Sequence, residues 1–78
     1  DGEYEVIEAE IIETSELINK EIKNSNLPDE LRIGAVLRDK KIIIPRSNFI
    51  FKKDDRVVFI VKKDSISFVE NIFRLSSV

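Results

Sequence analysis

The sequence predicts an α+β fold: a small two-layer domain of order β-α-β-β-β-α, with a mainly antiparallel sheet. Three observations lead there. Leu31 to Ile44 carries two β-branched runs around a short polar pair, Asp39-Lys40, the pattern of a β-hairpin. Apolar spacing elsewhere switches between a period of two and a period of three to four, so both strand and helix are present. The runs also follow one another too closely for several βαβ crossovers in 78 residues. A chain this short buries only about 60% of its unfolded surface. It has no cysteine and no histidine, so disulfides, thiolate metal sites and the commonest metal ligand are excluded. A partner subunit is then the expected source of the missing stability.

The elements follow in order. From Tyr4 to Ile12, Ile7, Ala9 and Ile11 alternate with Glu8 and Glu10, which predicts a half-buried first strand with a wet acidic face. Glu8 and Glu10 follow the strand period, and with Glu13 they read as the wet face of a strand rather than a cation site. Thr14 and Ser15 are helix-cap residue types. Leu17, Ile18 and Ile22 then recur at helical spacing, predicting a short helix from about Glu16 to Asn24. Leu27-Pro28 and Asp29-Glu30 connect it to the hairpin.

In the hairpin, plain alternation puts Ile33, Ala35 and Leu37 on one face and Arg32, Gly34, Val36 and Arg38 on the other. Ile42-Ile43-Ile44 has no polar interruption, so both its faces are expected to be covered. Pro45 has no N–H to donate and should end the strand. Lys40 stands where a two-residue turn prefers glycine, which leaves a slightly longer or bulged turn open. Phe49-Ile50-Phe51 pins a crossing loop, Lys52 to Asp55 is a polar turn, and Arg56 to Val61 reads as a buried strand. Asp64-Ser65 is placed to cap a last helix with Ile66, Val69, Ile72 and Phe73 on one stripe.

The inventory is poor for catalysis. A Ser-His-Asp or Cys-His arrangement is impossible. The only glycines, Gly2 and Gly34, cannot build a phosphate cradle. Asp54-Asp55 is the closest carboxylate pair and sits in a turn, where aspartates bond nearby backbone. A net charge of −2 lacks the electrostatic footprint of a nucleic-acid binder. No apolar run approaches the ~20 residues that span a bilayer. No secretory signal pattern occurs, so a cytoplasmic setting is expected. The chain has no methionine, even at its start, and is expected to be a piece of a longer protein. Arg38 and Arg46 are the noteworthy basic groups, because a planar guanidinium can donate two parallel bonds to a phosphate. The competing role for both is the solvated end of a strand, or a partner for Asp39 and Asp55.

Ile33-Gly34-Ala35-Val36-Leu37-Arg38-Asp39, Ile43-Ile44-Pro45-Arg46 and Asp55-Arg56-Val57-Val58 together resemble the C-terminal (TrkA-C) domain of the RCK family, the regulators of potassium conductance. The likeness is greatest to its Trk-type potassium-uptake members. It extends to the Glu-Ala-Glu-Ile-Ile-Glu-Thr-Ser entry strand, Leu27-Pro28 and the Val69 to Arg74 helix. The chain departs from the family at Asn19 and Asp54, where glycine is common. The resemblance implies a dimerising, non-enzymatic regulatory module attached to a cytoplasmic potassium-transport protein, peripheral to the membrane and not inserted in it. NAD or ATP would belong to a Rossmann half, whose Gly-x-Gly-x-x-Gly is absent here. No cofactor is expected in this domain. Some relatives bind cyclic di-AMP between two such subdomains. The matching positions here are Ile33, Val36, Arg38, Ile43, Pro45 and Arg46. The resemblance would set Arg38 against a phosphate and Ile43 and Pro45 against the bases.

Overall fold

The computed structural model describes residues 3–73. Four strands form one antiparallel sheet: β1 (Tyr4–Glu10), β2 (Leu31–Arg38), β3 (Lys41–Ile43) and β4 (Arg56–Lys62). Their order across the sheet is β1-β4-β2-β3, so the long central pairings are those of β4 with β1 and β2. A single α-helix, α1 (Ile66–Phe73), follows β4 through a 3₁₀ turn at Lys63–Ser65. Lys62, at the entry to that turn, makes no side-chain cap.

One face of the sheet builds the core. Ala9 of β1, Leu31 and Val36 of β2, and Val57, Phe59 and Val61 of β4 are buried there. Val69, Ile72 and Phe73 of α1 join them, with Ile11, Leu17 and Phe51 from the connections. Phe73 stacks on Phe59, ring centroids 4.9 Å apart and planes 11° from parallel. The β1 alternation holds: Ile7, Ala9 and Ile11 turn inward, and Glu8 pairs with Arg56 across the strands at 2.9 Å. The opposite face has no covering layer among the described residues. Val6 and Ile60 lie exposed on it, so β4 is buried on one side rather than throughout.

The helix expected from about Glu16 to Asn24 does not form. That stretch is a series of turns ending in a 3₁₀ turn at Ile22–Asn24. Asn19 takes a φ of 66°, which an α-helix cannot contain. The backbone groups instead bond to the crossing loop. Asn19 N–H donates to the Phe51 carbonyl at 2.9 Å, Phe51 N–H to Lys20 at 3.1 Å, and Ile22 N–H to Phe49 at 3.0 Å. Local spacing favours a helix here, and these long-range bonds override it, as tertiary context routinely does. Ser15 keeps its capping chemistry without the helix. Its Oγ accepts the Leu17 N–H at 3.2 Å and donates to the Ile72 carbonyl at 3.1 Å, tying the loop to the end of α1.

In β2 the register shifts between Ile33 and Ala35. This β-bulge adds one residue and reverses the alternation beyond it. Ile33 and Val36 therefore face the same core, while Ala35 and Leu37 turn to the outer face. The strict alternation expected from the sequence fails at that point. Gly34 is exposed, its φ is not positive, and a Cβ there would meet only the Val58 carbonyl oxygen at 3.6 Å.

The hairpin turn is a true two-residue one, Arg38 pairing with Lys41. Asp39 and Lys40 both have positive φ, 51° and 66°, as a type I′ turn requires. Lys40 bears the steric cost of a side chain in that region. Lys40→Gly is expected to raise stability by roughly 0.5 kcal/mol, the smaller backbone cost partly offset by glycine's extra unfolded freedom. Thermal denaturation would register this as an increase of about 2–4 °C. β3 ends at Ile43, just before Ile44-Pro45. Its outer face is not covered as expected: it is the edge strand, and Ile42 and Ile44 are 72% and 73% exposed.

Candidate functional site: a cationic cleft beside the hairpin

A concavity lies where the 3₁₀ turn at Ile22–Asn24 and the Asn26–Asp29 connection approach the segment after β3. It is a cleft of about 560 Å³. Ile22, Leu27, Pro28, Leu31, Ile33 and Pro45 supply its apolar lining. Lys23, Arg32 and Arg46 supply three cations against one carboxylate, Asp29.

The local sequence explains this shape. Asn26 takes a φ of 53°, which redirects the chain after Ser25, and Pro28 fixes the next step. Ser25 Oγ donates to the Glu21 carbonyl at 2.6 Å and steadies the turn. Arg32 donates to the backbone carbonyls of Asp29 and Leu31, which holds its guanidinium at the rim. Lys23 N–H donates to the Ser47 carbonyl at 2.9 Å, so the two walls are hydrogen-bonded to each other. Three cations beside apolar lining suit an anionic ligand with flat hydrophobic groups, such as a nucleotide.

The six residues singled out in the sequence divide into two groups. Ile33, Pro45 and Arg46 line the cleft. Val36 is fully buried, because the bulge turns it into the core, and Ile43 packs half-buried against that core. Arg38 is committed elsewhere. Its Nε and Nη2 donate to the two carboxylate oxygens of Asp55 at 2.7 and 2.6 Å, and Nη2 also donates to the Ile50 carbonyl at 2.9 Å. The guanidinium lies over the Phe49 ring, 4.7 Å from its centroid. The fork that would grip a phosphate is closed on Asp55, the partner that the sequence also offered. The Asp55 hydrogen bond holds Arg38 above its ordinary pKa, against a smaller opposing effect of burial. Asp55 is 1% exposed and also accepts the Lys52 N–H at 2.8 Å. It is therefore a buried structural carboxylate. Asp54 beside it holds the turn with a φ of 74°.

Lys23, Arg32, Asn26 and Asp29 were not legible as site residues, since they share the cleft only once the connection has folded. The sole available hint was Asn-Leu-Pro-Asp, a turn-forming run between two cations. Among the described residues no group of acidic side chains could hold a metal ion. No helix there is long and apolar enough to cross a membrane.

Comparison with known proteins agrees with this architecture. The dimeric RCK_C domain of Streptococcus agalactiae BusR, solved in complex with c-di-AMP, superposes with a TM-score of 0.78 over 96% of both chains, at 23% identity. BusR bound to its busAB promoter DNA superposes with a TM-score of 0.77, covering 91% of this chain and 36% of that one, also at 23% identity. At such identity these likenesses establish the fold. In sequence, the Trk system potassium uptake protein TrkA of Azorhizobium caulinodans is 40% identical over 76 residues, 97% of this chain and 17% of that protein. The chain thus spans about a sixth of this relative's length. Residues 6–74, which hold the hairpin, β4, the closing helix and all of β1 beyond its first two residues, match the TrkA-C domain model, and the chain belongs to that family.

Proposed function

We propose that this chain is the regulatory, dimerising and ligand-sensing domain of a cytoplasmic Trk-type potassium-uptake protein. In that role it stands at the inner face of the membrane and controls cation transport without catalysing a reaction. NAD or ATP, where the parent protein uses them, would bind outside this domain. The observation that carries the ligand-sensing part is the cleft itself, which Lys23, Arg32 and Arg46 line together with Ile33 and Pro45. A cyclic dinucleotide offers matching groups: two phosphates for the cations and two bases for the apolar lining. Family membership and the likeness to the TrkA of Azorhizobium caulinodans support the Trk context. The same cleft fits a second reading, a cyclic-dinucleotide sensor on another cation channel, antiporter or transporter. The BusR RCK_C dimer, described with c-di-AMP, favours that ligand class.

Calorimetric titration with cyclic di-AMP tests the ligand. Saturable heat is expected, with Arg46→Ala weakening affinity by roughly tenfold or more, the loss of one charge-assisted contact. Absence of both heat and thermal shift at about millimolar ligand would remove this ligand class. Arg46 is exposed and outside the core, so its replacement leaves the fold intact.

A further inference from the structure

We infer that the Asp29 carboxylate accepts a hydrogen bond from an exocyclic amine of the bound base, so that the cleft selects nucleotides of amino-substituted bases such as adenine. This deepens the ligand reading above and rests on it. Asp29 is the one acid lining a cleft that Lys23, Arg32 and Arg46 make cationic. An acid whose role was to offset those charges would pair with one of them. Among the described residues, its carboxylate makes no ion pair and no side-chain hydrogen bond. Arg32 reaches the same residue and passes the carboxylate by, since its Nη1 donates to the Asp29 backbone carbonyl.

The local turn explains this separation. The Pro28 carbonyl accepts the Leu31 N–H at 3.0 Å, which puts Asp29 at the first corner of a four-residue turn. Its carbonyl is spent on Arg32, and its carboxylate is left in the lining of the cleft. Glu30, at the second corner, does not line the cleft.

An ionised carboxylate can only accept hydrogen bonds. A simple polyanion would meet it as a like charge, although Lys23 and Arg46 attract one. A nucleotide satisfies both demands, with its phosphate toward the cations and an N–H of its base toward Asp29. Asn26 lines the cleft as well, and its amide can donate to a ring nitrogen. Adenine carries an amine beside a ring nitrogen, which matches an acceptor next to a donor. Leu27, Pro28 and Pro45 offer apolar contact to the ring. A base without the amine leaves the carboxylate desolvated and unpaired, and such a site rejects it.

Calorimetric titration of the native chain, Asp29→Ala and Glu30→Ala tests this with two probes. One is cyclic di-AMP, and the other is its analogue with purine in place of adenine, which lacks the 6-amino groups. The native chain should bind the amino compound roughly tenfold or more tightly than the analogue. Asp29→Ala should bring the two affinities within about twofold, while Glu30→Ala removes the same charge and keeps the native ratio. Both residues are exposed, and alanine at position 29 keeps the backbone carbonyl that holds Arg32. A native chain that binds neither probe overturns the ligand reading and this inference together. Binding of cyclic di-AMP without preference over the analogue, or a preference that survives Asp29→Ala, overturns the role of Asp29 alone.

Discussion

Arg38→Ala is expected to destabilise the fold by about 3–5 kcal/mol, and more than Asp55→Ala, although both break the same ion pair. The asymmetry follows from burial. Asp55 is 1% exposed, whereas the Arg38 side chain retains 26% of its accessible surface. With Asp55 gone, the guanidinium can swing toward water and leave the interior. With Arg38 gone, the carboxylate stays enclosed, with the Lys52 N–H as its remaining donor. Arg38 also clamps the crossing loop through the Ile50 carbonyl and covers Phe49, so its removal loosens the segment that replaces the expected helix. The Arg38→Ala, Asp55→Ala double variant should be more stable than Arg38→Ala alone, because it leaves no unpaired buried charge. Urea denaturation of the four chains closes the cycle. Equal losses for the two single variants would show that solvent reaches Asp55 freely.

The same pair sets an expectation for pH. A cation whose pKa is raised on folding contributes stability that is fully present below its unfolded value. That contribution is lost only as pH rises through the folded value. Arg38 lies above its already alkaline ordinary value. Its contribution is therefore constant between about pH 6 and 9, and pH sensitivity in that window arises elsewhere.

How much was legible follows from where each signal resides. β1 and α1 declare themselves through their own side-chain periods, because each buries one face against the same core; β4 was legible as a strand from its β-branched and aromatic composition, which did not show that Ile60 lies exposed. The Asp39-Lys40 turn was legible for the same local reason. The segment 16–24 misled, because Leu17, Ile18 and Ile22 have helical spacing. Their inward positions are instead set by bonds to Phe49 and Phe51, some thirty residues along the chain. The bulge at Gly34 misled more consequentially. One inserted residue put Val36 on the same face as Ile33, where it is fully buried in the core. Asn19, Asn26 and Asp54 mark where the chain leaves ordinary backbone space, and all three have positive φ. For Asn19 and Asp54 the family resemblance had pointed to glycine-like positions. Lys23 and Arg32 could not be paired from sequence, since only the folded connection brings them to one cleft.

Phe73→Ala is expected to cost about 3–5 kcal/mol, the range for truncating a buried aromatic. A domain of this size has a total stability of about 4–12 kcal/mol, so the variant stands near the edge of folding. Phe73 is fully buried and stacks on Phe59, the pivot of β4 between β1 and β2. It is also beside Ile72, whose carbonyl receives the Ser15 hydroxyl. Losing the ring therefore detaches α1 from the sheet and from the loop that Ser15 anchors. Phe68→Ala, on the same helix but 53% exposed, should cost no more than about 0.5 kcal/mol. Phe73→Leu should recover much of the loss by refilling the volume, short of about 1 kcal/mol for the lost ring contact. Thermal and urea denaturation of these variants separate the two contributions. A Phe73→Ala chain as stable as Phe68→Ala would mean that α1 does not close this core, and that β1, β2 and β4 hold their register without it.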